Sequence, residues 1–339
     1  MYGELITMKK GSILEYEVGG AHASLCPDMG GRVFVCLGGI CPHRIDMETV
    51  ANPVQEFNNF GGGNFWPAPE GGMFGFNYDG DTWLVQQAIN NQPFDVVHQD
   101  SGSALIAKNI TLINRAGTTV DATMNRRFRL ECDIDPVLSG YTVKKFLTYV
   151  TEDSFDVLNS VPVESALISS WTLEQFAASD DTISFCSVQS PDKAINFDFY
   201  DHHPGDRIQY LPKGFIYKTD GTCMGQIGIK KEAKADLIGF YDLSNNMVCI
   251  RRNLGGYDGV YFNIADNDQP NGPYSAADNY SIYNSDPEMR AFELETVGSA
   301  RVENGLLKGS DLVSRTTLAL FESGEDIKAF IEELLGSSE

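Results

Sequence analysis

Two glutamates stand two residues apart in an otherwise apolar run, Phe292-Glu293-Leu294-Glu295-Thr296. Side chains alternate between the faces of a β-strand, so Glu293 and Glu295 point one way and Phe292, Leu294 and Thr296 the other. Two carboxylates on one face are costly to bury unless paired or functional. Each also pushes the other's pKa up, which suits a general acid or base near neutral pH. The plainer explanation of the same pattern is the solvated face of an edge strand.

The segment 58–72, NNFGGGNFWPAPEGG, is the most unusual stretch of the chain. Its glycines permit close backbone approach, and its prolines stiffen the frame that carries Asn64, Trp66 and Glu70. An indole beside a carboxylate and an amide is a sugar-binding combination: the ring stacks on the less polar pyranose face and the planar polar groups take hydroxyls. A core tryptophan at a sheet crossing would look the same in sequence. Gly61-Gly62-Gly63 resembles a phosphate cradle only at first sight. Pro67 and Pro69 follow it and forbid the helix N-terminus that an anion site of that kind needs.

Other candidates are softer. His202 and His203 lie in FYDHHPGDR (199–207), where one of them could transfer a proton; a surface-loop histidine is the common alternative. Trp171 and Glu174 bring an aromatic and a carboxylate into one apolar neighbourhood with Gln175. Lys230-Lys231, Arg251-Arg252 and Arg126-Arg127 are doublets that split between two strand faces, so Lys230 or Arg251 could offer one cation to an anionic sugar substituent. A solvated surface is the favoured explanation for all of these, and His22, His43 and His98 have no context that lifts them. No third ligand stands at a telling spacing from the histidine pair, so no metal site is expected. The chain has no GxxxxGK[ST], no GxGxxG after a strand, no HExxH and no GxSxG, and no motif requires a cofactor.

These residues need elements to hold them. Short runs rich in Val, Ile, Thr, Phe and Tyr predict strands over 32–37, 104–114, 141–151, 215–218, 247–251 and 316–321. Turn chemistry such as Tyr78-Asp79-Gly80-Asp81 and Glu303-Asn304-Gly305 punctuates them. One segment reads as a helix, 325–335, with Ile327, Phe330, Ile331, Leu334 and Leu335 on one stripe and Gly336 after it. It is expected to dock on the outside of a sheet. There is no βαβ alternation and no fixed-period repeat. The pattern predicts a single, predominantly antiparallel all-β domain across 1–339.

The chain has 339 residues, with 25 Lys+Arg against 47 Asp+Glu, so the net charge is 25 − 47 = −22. Such a surface repels phosphate backbones and anionic lipid, which argues against nucleic-acid and membrane partners. No apolar run approaches the roughly 18 residues of a membrane span. The seven cysteines are odd in number and scattered without a CxxC pair, as in a reduced protein. No secretory leader is evident, so a cytoplasmic location is expected, or a periplasmic one had a leader been removed.

With these segments in view, the sequence resembles the galactose mutarotase-like (aldose 1-epimerase-like) superfamily. It is most similar to a bacterial branch with a GG-x-x-x-W-x-x-PEGG stretch, matched here by Gly62-Gly63-Asn64-Phe65-Trp66-Pro67-Ala68-Pro69-Glu70-Gly71-Gly72. Ser170-Trp171-Thr172-Leu173-Glu174-Gln175, Gly228-Ile229-Lys230 and Phe292-Glu293-Leu294-Glu295-Thr296-Val297-Gly298 follow in order. The resemblance implies a β-supersandwich with a sugar cleft on a concave face and a small-molecule carbohydrate as partner. It implies Glu295, in the L-E-T stretch, as base at the anomeric hydroxyl, with Trp66, Glu70 and Trp171 holding the ring. Active epimerases carry an Asn-His pair where this chain has Ser170-Trp171, so the acid falls to His203 or His202. A non-catalytic sugar-binding module that keeps the cleft is the alternative.

Overall fold

A computed structural model describes residues 1–80, 82–199, 204–256, 258–261 and 277–336. Two large antiparallel sheets face each other. The first has nine strands in the order Leu14–Val18, Ala21–Cys26, Arg32–Leu37, Gly62–Ala68, Ser169–Ala177, Ala291–Val297, Asp278–Asn284, Gly225–Lys230 and Ile195–Asn196. The second has eleven, and its centre is built by Met247–Asn253, Leu306–Phe321, Val143–Pro162 and Thr119–Glu131. Consecutive strands pair at the sheet edges, but the centres join distant parts of the chain: Gly62–Ala68 pairs with Ser169–Ala177, that strand with Ala291–Val297, and Val143–Pro162 with Leu306–Phe321.

The main core lies between the sheets and includes Val33, Val35, Phe65, Phe155, Phe176, Ile227, Ile282, Leu294 and Leu318. The predicted strands appear at their expected places, with 32–37 unchanged as Arg32–Leu37 and 316–321 as the end of the long strand Leu306–Phe321. The expected helix forms as Gly324–Leu335. Ser323 caps it by accepting from the Asp326 backbone N–H at 3.3 Å, a contact of the kind worth about 1 kcal/mol. Its Ile327, Phe330 and Leu335 pack on Phe185, Val248, Ile250 and Phe321, on the outer face of the second sheet. A short N-terminal helix, Tyr2–Met8, not foreseen from sequence, covers the outer side of the first sheet by packing Leu5 with Phe34, Ile45, Val50 and Phe60. No described helix is long and apolar enough to cross a membrane.

The segment expected to be an irregular rigid frame is instead a regular strand, Gly62–Ala68. Pro67 is tolerated there because the strand pairs along its length only with Ser169–Ala177, while Arg32–Leu37 meets it at the single pair Val33–Gly63. The missing N–H therefore faces no partner strand. The glycines serve close approach. A Cβ on Gly61, whose φ is +82°, would lie 2.0 Å from the Arg44 carbonyl oxygen, and one on Gly63 would lie 2.7 Å from Glu174 Oε2.

Candidate functional site

Register decides what shares the outer face of the first sheet. Trp171 stands opposite Trp66 and Val297, Leu173 opposite Asn64 and Glu295, and Gln175 opposite Gly62 and Glu293. Glu293 and Glu295 stand opposite Tyr283 and Ser281, and Gln226 is opposite Tyr283 on the next strand. Alternation then sets Asn64, Trp66, Trp171, Gln175, Gln226, Ser281, Tyr283, Glu293 and Glu295 on one side, and Phe65, Thr172, Glu174, Leu294 and Thr296 on the other.

A cleft opens on that outer face. Arg32, Phe57, Asn59, Asn64, Trp66, Leu173, Gln175 and Glu293 line it, with Gly61 and Gly62 as its floor, and it holds about 330 Å³ of space open at its mouth. Most of that space is open to solvent: the cavity volume proper is about 60 Å³, well below the roughly 300–1,000 Å³ typical of small-molecule sites. The aromatic wall is continuous: Phe57 meets Trp66 and Trp83 edge-on at 5.9 and 5.2 Å between ring centroids, and Trp66 meets Trp171 edge-on at 6.2 Å. Glu70 sits beside this wall and accepts from Trp83 Nε1 at 3.1 Å.

The carboxyl pair forms the polar wall. Gln175 Nε2 donates to Glu293 Oε1 at 2.7 Å. Trp171 Nε1 donates to Glu295 Oε2 at 3.0 Å, and Gln226 Nε2 lies 3.2 and 3.3 Å from the two Glu295 oxygens. The two carboxyls stand two residues apart on one face, close enough that the charge of Glu293 acts on Glu295. Burial, then the charge of Glu293, pushes Glu295 well above the ordinary carboxyl range, and Glu70 adds to this. Burial pushes Glu293 up as well, against the pull of Gln175, Glu295, Arg32 and Arg44. Tyr283 is raised by burial and by the same carboxylates, so its hydroxyl stays protonated. Glu293 forms part of the cleft wall, whereas Glu295 is 1% exposed and stands behind it. The spacing argument is therefore refined: both carboxyls share a face, but Glu293 is the one that meets the cleft.

Glu174 and Arg251 do not line the cleft. They lie on the inner face of their strands, between the sheets. Arg251 NH1 donates to Glu174 Oε1 at 3.0 Å and to Thr316 Oγ1 at 2.6 Å, and NH2 donates to Thr172 and Thr296 Oγ1. His43 Nδ1 accepts from the Val35 backbone N–H, so its proton sits on Nε2 and is donated to Glu174 Oε2 at 2.8 Å. Tyr149 OH donates to the same oxygen at 2.9 Å. Burial alone would raise Glu174, but the Arg251 charge and these hydrogen bonds hold it down at about 2. The expectation that Glu174 and Arg251 touch a sugar in this cleft is corrected by the face they occupy. Lys230, half-buried at the end of the strand Gly225–Lys230, does not line the cleft, and its charge acts on the buried Asp278. His202 and His203 lie outside the described residues.

A family model, described as a family of unknown function, matches residues 13–336. The chain belongs to DUF6786. No curated protein matches its sequence. Among solved structures, this DUF6786 chain is similar to the Slr1438 protein of Synechocystis sp. PCC 6803, with a TM-score of 0.53 at 12% identity over 91% of this chain and 96% of that one. A galactose mutarotase-like protein of Lactobacillus casei gives 0.51 at 10% identity, covering 91% and 98%. A candidate aldose 1-epimerase of Klebsiella pneumoniae gives 0.51 at 10%, covering 96% and 84%. The DUF6786 chain thus has the galactose mutarotase-like fold.

Three cleft residues of this DUF6786 chain, Arg32, Phe57 and Asn59, and two residues beside its carboxyl pair, Gln226 and Tyr283, were not singled out from sequence. Only Arg32 carried a local signal, a cation opening the otherwise apolar run Val33-Phe34-Val35-Cys36-Leu37. The others reach the site through strand pairing and loop placement.

Proposed function

We propose that the cleft binds a small carbohydrate and that the Glu293–Glu295 pair moves protons at its anomeric centre, interconverting anomers in the manner of an aldose 1-epimerase. The observation that carries this reading is a cleft lined by the Trp66 indole, the Asn64 and Gln175 amides and the Glu293 carboxyl, with Glu295 directly behind Glu293 on the same face. Fold neighbours described as galactose mutarotase-like and as a candidate aldose 1-epimerase support it.

The chemistry follows from the protonation of the pair. Two carboxyls raised together hold one proton near neutral pH, so base and acid stand side by side. The ionised carboxyl takes the C1 hydroxyl proton while the C1–O5 bond breaks, and the protonated one delivers its proton to O5. The resulting aldehyde turns about C1–C2, and the reverse transfers close the other anomer. Trp66 and Phe57 offer apolar edges to the ring, and Asn64 and Gln175 offer amides to hydroxyls.

Anomer exchange measured by magnetisation-transfer NMR tests this against aldoses, uronic acids and sugar phosphates. Wild-type protein is expected to accelerate exchange, and Glu293→Gln to lower that acceleration by about 10²–10⁴-fold with the circular dichroism unchanged. A fully active Glu293→Gln variant would overturn the assignment. A recognition role without turnover has one observation in its favour: Glu295 is already held by the Trp171 indole, which donates a hydrogen bond but does not release its proton near neutral pH. Binding without exchange would establish that second reading.

A further inference from the structure

Three arginines are almost fully buried, and one of them lacks a carboxylate. Arg126 pairs with Asp153 at 2.6 Å and Arg251 with Glu174 at 3.0 Å. Arg32, 2% exposed, donates only to the backbone carbonyls of Met29 at 2.7 Å and Asn58 at 3.3 Å, with its guanidinium carbon 5.0 Å from the centre of the Phe60 ring. Its Nε–H has no acceptor. On the same cleft, Trp66 is 5% exposed and its indole N–H has no acceptor either.

Neither vacancy is cheap. An unmet buried donor destabilises the fold, and a buried guanidinium without an anion does so more. The nearby Glu293 does not relieve Arg32: its carboxyl is held by Gln175 and acts on Arg32 only through its field. Burial draws Arg32 down to about 9, which still leaves it charged at neutral pH. Two unmet donors, one of them cationic, belong to side chains that line one small cleft, and they match an acceptor that arrives with the ligand.

We propose that the sugar bound in this cleft carries an anionic oxygen group, a carboxylate or a phosphate, which pairs with Arg32 Nε–H and receives the Trp66 indole N–H. This rests on the sugar-binding reading above and names the class of sugar. A planar carboxylate uses the guanidinium edge side-on, and a phosphate offers the same two acceptors.

Titration calorimetry on the intact protein tests the proposal with glucose and galactose as neutral probes, glucuronate and galacturonate as carboxylates, and glucose 6-phosphate as the phosphate. Free acetate and inorganic phosphate serve as anions without a ring. One anionic class is expected to bind at least about tenfold tighter than its neutral parent and than the free anion, a gap of about 1.4 kcal/mol. Which class wins tells carboxylate from phosphate. Trp66→Phe keeps an aromatic ring and removes one donor, so it should cut that preference about threefold or more; Arg32→Lys should abolish it. Equal binding of neutral and anionic sugars overturns the proposal and leaves sugar binding intact. A preference that survives in Trp66→Phe unchanged overturns the assignment even if Arg32→Lys does not fold. No binding of any sugar overturns both readings.

Discussion

Glu293 and Glu295 differ in what surrounds them more than in what they are. Gln175 and the cleft hold one; Trp171, Gln226 and burial hold the other. A buried carboxyl whose pKa is raised in the folded state keeps its proton longer than in the unfolded chain. Its contribution to stability is therefore fully present below the unfolded value near 4.3 and is lost as pH rises toward the folded value. Glu295→Gln removes that loss. Thermal melts across pH should show the variant more stable than wild type at pH 8, with the two converging at pH 4. Parallel curves would mean that the Glu295 carboxyl is not raised.

At the level of the strand, one residue's shift in facing changes a role entirely. Leu173 and Gln175 line the cleft, while Glu174 between them turns inward to Arg251, His43 and Tyr149. Glu174→Gln leaves the Arg251 guanidinium buried with no carboxylate and should cost about 3–5 kcal/mol in urea unfolding. A loss below about 1 kcal/mol would show that the threonines around Arg251 suffice. The same network explains Gly63, whose absent side chain leaves room for the Glu174 carboxylate. The triple glycine that looks like a phosphate cradle in sequence is thus a packing feature. The segment 62–68 was legible as special but not as a strand, because its prolines argue against pairing on both sides and only one side is paired at that end.

For the whole molecule, a net charge of −22 sets a repulsive background against which the folded state must hold. Screening relieves it, so added sodium chloride should raise the melting temperature at pH 8 and do so much less at pH 4, where carboxylates take up protons. A melting temperature that falls with salt at pH 8 would point instead to specific ion pairs, such as Asp135 between Arg252 and Arg315, as the dominant electrostatic element.

Local pattern alone determined the antiparallel β class, the apolar stripe of the helix Gly324–Leu335, and the shared face of Glu293 and Glu295. Those properties depend on periods of two and 3.6 residues, which a short stretch of sequence carries by itself. Only the tertiary structure decided which face met the core. The partners of Glu174 come from 131 and 77 residues away, at His43 and Arg251, and no local spacing announces them. Arg32 likewise gained its meaning from what did not arrive: the other two fully buried arginines, Arg126 and Arg251, met a carboxylate from another strand, and this one met a cleft.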